Sequence, residues 1–346
     1  MSTGEPEPFR PAWWLPSPHP QSMWGRLARP RRLVPLRREI VPTPDGDELV
    51  LDHVDADDGA PRLLLLHGLE GSSFSVYIQG IAALARRAGF AVTILNFRSC
   101  ARPPDDLGVM LPNGRPRFYH SGETGDADLV LKILHRRAPR TPLVAAGASL
   151  GGNVLLKWLG EHPGQTLLSA AATISVPYDL AAGARFLESG AGPFYVAVFL
   201  RTLKAKVKDL ADRFPEARER IDLPRMLAAT TFREFDDAAT GPLHGFAGAD
   251  DYYARSSSLS FVGRISTPAL LISAEDDPFV PAEVLPRVRA AASPAVTSLF
   301  AKAGGHVGFV SGSSPGRAVY WAEETVVRWL SARLPGLPAA APRRRG

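Results

Sequence analysis

The sequence predicts an α/β fold, in which helices cover both faces of a mostly parallel central sheet and a helical cap is inserted. Three observations predict this fold. Short apolar segments of strand length alternate with amphipathic segments of helix length, a pattern typical of a parallel sheet. Residues 178–260 interrupt the alternation with a mostly helical pattern. A serine lies at a glycine-flanked turn between a predicted strand and a predicted helix.

Length and composition allow one large α/β domain with an insertion, or two domains. The chain has 346 residues, of which 45% are hydrophobic and 22% charged, and this composition supports a sizeable core. Cys100 is the one cysteine, so we expect no intramolecular disulfide and a reducing, cytoplasmic location. No apolar segment approaches the ~20 residues that a membrane span needs. The first residues lack the basic and apolar regions of a signal peptide.

The net charge of +5 is concentrated at the two ends of the chain. Residues 1–40 and 335–346 carry the excess of arginine, and the part between them is slightly acidic. We therefore expect no nucleic-acid partner, which would need a basic surface on the folded body. The basic ends are interpreted as solvated segments, and weak contact with an anionic membrane surface is the alternative.

Five segments are predicted along the chain. Residues 1–37 form a proline-rich arm, in which the prolines argue against regular structure and three tryptophans indicate packing on the body. Residues 38–177 form the first part of the core, 178–260 the helical cap, 261–334 the second part of the core and 335–346 a basic tail.

Strands and helices of the core follow from local patterns. The four leucines of residues 63–66 predict a buried strand, and Gly89 is expected to end the helix that follows it. The predicted strands are residues 39–41, 49–54, 63–66, 90–97, 143–146, 170–176, 269–273 and 295–301. The predicted helices are residues 77–88, 125–137, 282–291 and 318–330, with one more after residue 149. An apolar stripe in the cap predicts ordinary packing and consists of Phe199, Leu203, Val207, Leu210 and Phe214.

Ser149 is the candidate nucleophile. It is the central residue of Gly147-Ala-Ser-Leu-Gly151, between a short apolar strand and a segment whose apolar residues repeat at helical spacing. A strand, a sharp turn and a helix are the context of a nucleophile elbow, which lifts the serine hydroxyl clear of the sheet. The alternative is a glycine-rich turn with an incidental serine, but the strand and the helix favour the elbow.

A serine nucleophile needs a base, and the base needs an acid that orients it. His306 follows the last predicted strand, and two glycines before it allow a tight loop; the alternative is a solvent-exposed turn histidine. Asp277 follows the penultimate strand and is the preferred acid, with Asp276 and Asp179 as alternatives. The order Ser149, Asp277, His306 is the chain order of α/β-hydrolases.

Two backbone N–H groups are expected to stabilise the oxyanion that develops during acyl transfer. One belongs to Leu150, at the start of the helix after the serine. The other is expected from Leu69, in the loop after the strand of residues 63–66. His67, in the same loop, is interpreted as structural.

No cofactor or metal is expected. His67, His120 and Glu123 do not form a spaced ligand cluster. Neither a Gly-x-Gly-x-x-Gly nor a Walker A pattern is present, which argues against a nucleotide. Cys100 is interpreted as a bystander, because no base is paired with it in the sequence.

Ordered motifs along nearly the whole chain resemble one family. They are Pro18-His-Pro-Gln-Ser22, His67-Gly-Leu-Glu-Gly-Ser-Ser73, Asn96-Phe-Arg98, Tyr119-His-Ser-Gly-Glu-Thr124, Gly147-Ala-Ser-Leu-Gly-Gly-Asn153, Ser175-Val-Pro-Tyr-Asp-Leu180, Arg233-Glu-Phe-Asp-Asp237, Leu243-His-Gly-Phe246, Asp251-Tyr-Tyr253, Asp276-Asp-Pro-Phe279 and Gly304-Gly-His-Val-Gly-Phe309. They resemble the YheT-like branch of the α/β-hydrolase superfamily. The sequence departs from that family after Arg98, where Gly-Cys-Ser-Gly is usual and Ser99-Cys-Ala-Arg102 stands here.

The resemblance implies a serine hydrolase of carboxylic esters, with short- to medium-chain acyl esters or acylglycerols as substrates. It assigns the nucleophile to Ser149, the acid to Asp277 and the base to His306. Two alternatives are an acyltransferase that uses the same three residues and a non-catalytic binding protein on a hydrolase fold. The altered loop of residues 99–102 is expected near the site, where it would affect substrate preference.

Overall fold

A central eight-stranded sheet organises the computed structural model, which describes residues 8–334. The predicted basic tail and the first seven residues of the predicted arm therefore lie outside the described residues. The strands of this sheet are β1 (Arg37–Pro42), β2 (Glu48–Val54), β3 (Arg62–Leu66), β4 (Ala91–Asn96), β5 (Leu143–Ala148), β6 (Ala170–Ile174), β7 (Ala269–Ala274) and β8 (Val296–Ala301).

The strand order is β1-β2-β4-β3-β5-β6-β7-β8. The pairs β1–β2 and β2–β4 are antiparallel, and the remaining five pairs are parallel. The mostly parallel α/β fold is thus confirmed. Because all strands from β3 onward run in the same direction, the loops at their carboxyl ends lie along one edge of the sheet, where such folds bind ligands.

Both faces of the sheet are buried, which explains why the parallel strands are apolar without alternation. In β3, Leu63 and Leu65 face one hydrophobic cluster and Leu64 and Leu66 face another. Successive side chains in a strand point to opposite faces, so the four leucines pack into the hydrophobic clusters on both faces of the sheet.

Thirteen α-helices accompany the sheet in residues 8–334. The core helices are α2 (Val76–Arg87), α3 (Gly125–Arg137), α4 (Leu150–Glu161), α12 (Val284–Ala291) and α13 (Trp321–Ser331), with α1 (Pro18–Ala28) before them. The helices between β6 and β7 are α5 (Leu180–Phe186), α6 (Gly192–Arg213), α7 (Pro215–Arg220), α8 (Leu223–Ala228), α9 (Phe232–Phe235), α10 (Gly241–Leu243) and α11 (Ala249–Ser256). Of the helices described, none combines the length and the apolar character that crossing a membrane requires.

The expectation that the arm lacks regular structure is wrong, since α1 spans 11 residues of it. Pro18 is the first residue of α1 and follows the N-cap residue Ser17. Proline is tolerated in the first turn, because the N–H that it lacks has no partner within the helix. Residues before α1 pack on the body, where Ala12 and Leu15 are buried against Val310.

The last helix starts later than the sequence predicts. The alternation of strands and helices predicts a helix over residues 318–330, but Val319–Tyr320 form a short strand, β10, which pairs antiparallel with β9 (Val310–Ser311). Two of the first residues of the predicted helix therefore belong to this strand pair. Trp321, where α13 begins, instead donates its backbone N–H to the carbonyl of Phe309.

Candidate active site

Ser149 occupies a strained turn between β5 and α4. Its backbone has φ 52° and ψ −123°, a combination that L-residues rarely adopt, and its N–H donates to the carbonyl of Ile174 at 2.8 Å. A Cβ at Gly147 would lie 2.5 Å from the carbonyl oxygen of Gly151, and one at Gly151 would lie 2.5 Å from that of His67. The two glycines therefore allow the strand, the helix and the neighbouring loop to meet around the serine.

The structure brings Ser149, Asp277 and His306 together. Nε2 of His306 lies 3.0 Å from Oγ of Ser149, and Nδ1 lies 3.0 and 2.9 Å from the two carboxylate oxygens of Asp277. The Asp277 side chain is fully buried, whereas that of His306 retains 16% of its accessible surface. With the hydrogen on Nδ1, the imidazole donates to Asp277 and accepts from the serine hydroxyl. This arrangement can remove the proton from Ser149.

The two alternative acids lie elsewhere. Asp276 accepts the N–H of Gly305 at 2.9 Å and so braces the loop that carries His306. Asp179 is the N-cap of α5, where it accepts the N–H of Ala182, and it pairs with Arg287 at 2.8 Å. Of the three candidates, Asp277 is the one within hydrogen-bond distance of the imidazole.

Leu69 and Leu150, the predicted oxyanion donors, both line the pocket that contains Ser149. Neither backbone N–H has a hydrogen-bond partner within residues 8–334. Two N–H groups left free beside a serine can bind a developing negative charge.

A buried cluster supports the loop that contains Leu69. The next residue, Glu70, has φ 55°, and its N–H donates to the hydroxyl of Tyr119 at 2.7 Å. That hydroxyl in turn donates to the Glu70 carboxylate at 2.8 Å. Lys206 of α6 completes the cluster through an ion pair of 2.5 Å with the same carboxylate oxygen. No local sequence pattern indicates this link between the cap and the loop.

His67 is fully buried and uses both ring nitrogens. Nδ1 donates to the carbonyl of Gly68 at 2.8 Å, and Nε2 accepts the N–H of Phe97 at 3.1 Å. Burial lowers the pKa of His67 to about 4, which keeps the ring neutral. Burial also raises the pKa of the Cys100 thiol to about 11, so the thiol stays protonated although Lys206 lies 3.5 Å away.

His120 and Glu123 lie 3.8 Å apart. Within residues 8–334, no group of three or more His, Cys, Asp and Glu side chains is placed to hold a metal ion. Burial lowers the pKa of His120 well below its usual range.

The altered loop places Ser99 in a backbone conformation that favours glycine. Its φ is 60°, and its hydroxyl bonds the side-chain oxygen of Asn113. A non-glycine residue in this region costs about 1 kcal/mol, which the hydrogen bond can offset. In the described chain, none of residues 99–102 lines the pocket. The sequence predicts that this loop affects substrate preference, but the loop makes no direct contact with the pocket.

The arm holds the loop of His306, a role that the proline-rich sequence of the arm does not indicate. The backbone N–H of His306 donates to Oγ of Ser22 at 2.8 Å. The buried side chain of Gln21 bonds both the N–H and the carbonyl of Val310, at 2.6 and 3.0 Å, and the carbonyl of Leu15 at 3.0 Å. A Cβ at Gly305 would lie 2.4 Å from the carbonyl oxygen of Pro18, so α1 and the histidine loop are in direct contact.

A pocket opens beside Ser149, between the sheet edge and the helices inserted after β6. The inserted helices contribute mainly apolar side chains, among them Leu187, Leu203 and Phe235. Of the predicted apolar stripe in the cap, Leu203 lines the pocket and the other residues pack elsewhere in the core. Such a pocket suits an apolar group attached to the carbonyl that Ser149 would reach.

Fold and site together define a hydrolase of the α/β class, and comparison with known proteins agrees. A family model described as "alpha/beta hydrolase fold" matches residues 61–313. The protein named "Putative esterase YheT" from Escherichia coli (strain K12) is 34% identical over 319 residues, which cover 91% of each chain. The chain therefore belongs to the α/β-hydrolase family, in its YheT-like branch.

Two further likenesses agree with this assignment. Phospholipase ABHD3 from Mus musculus is 31% identical over 323 residues, which cover 91% of this chain and 76% of that protein. The solved structure of the Pyrococcus furiosus esterase Pf2001 has a TM-score of 0.53 and 16% identity, and the match covers 87% of this chain and 89% of that one. The structural likeness supports the fold, and the named relatives support ester hydrolysis. The protein is a carboxylic ester hydrolase that acts on a small-molecule ester or lipid.

Proposed function

We propose that the protein hydrolyses short- to medium-chain acyl esters or acylglycerols through an acyl-enzyme on Ser149. The observation that carries the proposal is the 3.0 Å distance between Oγ of Ser149 and Nε2 of His306, at a pocket lined by apolar side chains. Oγ attacks the acyl carbonyl while its proton passes to Nε2. The carboxylate of Asp277 keeps the imidazole in the required tautomer and stabilises the imidazolium.

The N–H groups of Leu69 and Leu150 donate hydrogen bonds to the carbonyl oxygen and so stabilise the negative charge that develops on it. Collapse of the tetrahedral intermediate breaks the bond to the alcohol, which takes the proton from Nε2 as it leaves. Water then repeats the sequence on the acyl-enzyme, and the serine is regenerated as the carboxylic acid departs. The free N–H groups and the buried carboxylate of Asp277 support these roles.

The lining of the pocket supports the proposal that the enzyme binds the substrate by its acyl group. Its cap wall is mainly apolar, and burial of each methylene contributes about 0.8 kcal/mol, or roughly fourfold in affinity. The phospholipase named above acts on a lipid, which agrees with an acyl chain in this pocket.

Hydrolysis of p-nitrophenyl esters from acetate to decanoate tests the proposal. We expect kcat/KM to rise with chain length until the pocket is filled and then to fall. Ser149→Ala should keep the fold and lose several orders of magnitude in kcat. A flat chain-length profile would contradict acyl binding in the pocket. An active Ser149→Ala variant would contradict the assignment of Ser149 as the nucleophile. An added alcohol, such as glycerol, tests the transferase alternative, since an acyltransferase would form a new ester in preference to the acid.

A further inference from the structure

The cap wall of the pocket contains a polar group that ester hydrolysis as proposed does not use. It consists of Asp236, Thr240 and Tyr253, all three of which line the pocket. Asp236 begins a π-helical turn over residues 236–240, and Tyr253 belongs to α11. Single π-helical turns are frequent at functional sites, because the extra residue redirects the side chains around it.

The carboxyl group of Asp236 is held in place by two hydroxyl groups. Thr240 donates to Oδ1 at 2.6 Å, and Tyr253 donates to Oδ2 at 2.8 Å. Thr240 and Tyr253 are buried, whereas Asp236 retains part of its accessible surface. Because Asp236 lines the pocket, a ligand in the pocket can contact it.

No cation neutralises this carboxyl group, since Asp236 forms no ion pair with another residue of the described chain. Burial raises its pKa to about 6, although both hydroxyl donors lower it. A carboxylate has about four lone-pair sites, of which the two hydroxyl groups use two. The remaining sites can accept a hydrogen bond from a ligand, and the protonated form can also donate one.

An alkyl chain alone would be a poor occupant of this part of the pocket. It would remove water from the carboxyl group and offer no hydrogen bond in return, which is costly for a buried polar group. A hydroxyl group on the substrate would meet the carboxyl group with matching chemistry. The Tyr252 hydroxyl, in the same wall, is already engaged, since it accepts the N–H of Ser121 at 2.9 Å.

We propose that Asp236, oriented by Thr240 and Tyr253, is a substrate-binding residue that hydrogen-bonds a free hydroxyl group of the ester. The enzyme would then select esters that carry such a hydroxyl group, either on the alcohol part or on the acyl chain. The inference rests on the proposed function, because it places the ester in the pocket beside Ser149.

Two matched pairs of esters test this proposal and distinguish the two sources of the hydroxyl group. Glycerol monobutyrate is compared with propyl butyrate, and methyl 8-hydroxyoctanoate with methyl octanoate, each by kcat/KM. The wild-type enzyme should prefer the hydroxylated member of one pair by about 10- to 100-fold, the usual range for a hydrogen bond to a charged group. The pair that shows the preference identifies the part of the substrate that Asp236 binds.

Asp236→Asn should reduce that preference at least severalfold, because a neutral amide forms a weaker hydrogen bond to the substrate hydroxyl group than a carboxylate does. The amide can still bond both hydroxyl groups, which are free to rotate, so the structural connection is kept. Asp237→Asn is the matched control. Asp237 lies outside the pocket lining, where it accepts the N–H of Ala249 and pairs with Arg225, and its variant should keep the preference. If Asp236→Asn does not fold, Tyr253→Phe serves instead and should reduce the preference severalfold.

Three results would overturn the inference: no hydroxyl preference in either pair of esters, a preference that Asp236→Asn leaves at the wild-type value, or an equal loss of activity on both members of a pair in Asp236→Asn. The plain esters separate this failure from failure of the proposed function. If the wild-type enzyme hydrolyses propyl butyrate through Ser149 without any hydroxyl preference, the role of Asp236 is refuted but the proposed ester hydrolysis is not.

Discussion

Replacing Ser22 by alanine tests whether the arm positions His306. The substitution removes the hydroxyl that accepts the His306 N–H at 2.8 Å and donates to the carbonyl of Pro18 at 2.7 Å. A partly buried N–H left without its partner costs about 1–3 kcal/mol. If that cost disfavours the position in which the His306 imidazole accepts the proton of Ser149, kcat should drop by about 5- to 150-fold. KM should change little, because Ser22 does not line the pocket.

The assay is steady-state hydrolysis of p-nitrophenyl butyrate, with thermal unfolding measured in parallel. Ser17→Ala is the matched control, since Ser17 is exposed, lies in the same arm and makes no side-chain capping bond. Ser22→Thr keeps a hydroxyl and should restore most of kcat. The reasoning would be refuted if Ser22→Ala kept kcat within twofold of wild type, or if Ser17→Ala lost as much activity.

Two further predictions concern the acid and the pocket. Asp277→Asn should lower kcat by about 10⁴-fold, while Asp276→Asn and Asp179→Asn should cost far less at matched folding; an inactive Asp179→Asn beside a normal Asp277→Asn would contradict the assignment. Ala184→Phe, in the pocket wall, should shorten the longest acyl chain that is hydrolysed well, whereas Ala197→Phe on the exposed face of α6 should not. An unchanged chain-length profile in Ala184→Phe would argue against acyl binding at this wall.

The proximity of Ser149, Asp277 and His306 could be predicted from the sequence because each follows a recognisable strand of a parallel sheet. The carboxyl ends of such strands share one edge, so residues as far apart as Ser149 and His306 can be expected to meet. The turn at Ser149 was also predictable, since its glycines, strand and helix are local signals.

Contacts of the arm and the cap could not be predicted in the same way. The bond between Ser22 and His306 joins residues 284 positions apart, and no local pattern indicates it. The proline content of the arm pointed away from a helix, although Ser17-Pro18 is a typical helix start. The ion pair of Lys206 with Glu70 depends on how the inserted helices pack over the sheet edge, which spacing does not specify.

Fluorophosphonate labelling tests the identity of the nucleophile most directly. The wild-type enzyme is treated with the probe, ester hydrolysis is followed as labelling proceeds, and the modified peptide is identified by mass spectrometry. We expect one adduct per chain, on Ser149, with activity lost in proportion to labelling and no adduct in Ser149→Ala. An adduct on a different serine, or full hydrolysis by the completely labelled enzyme, would contradict the account.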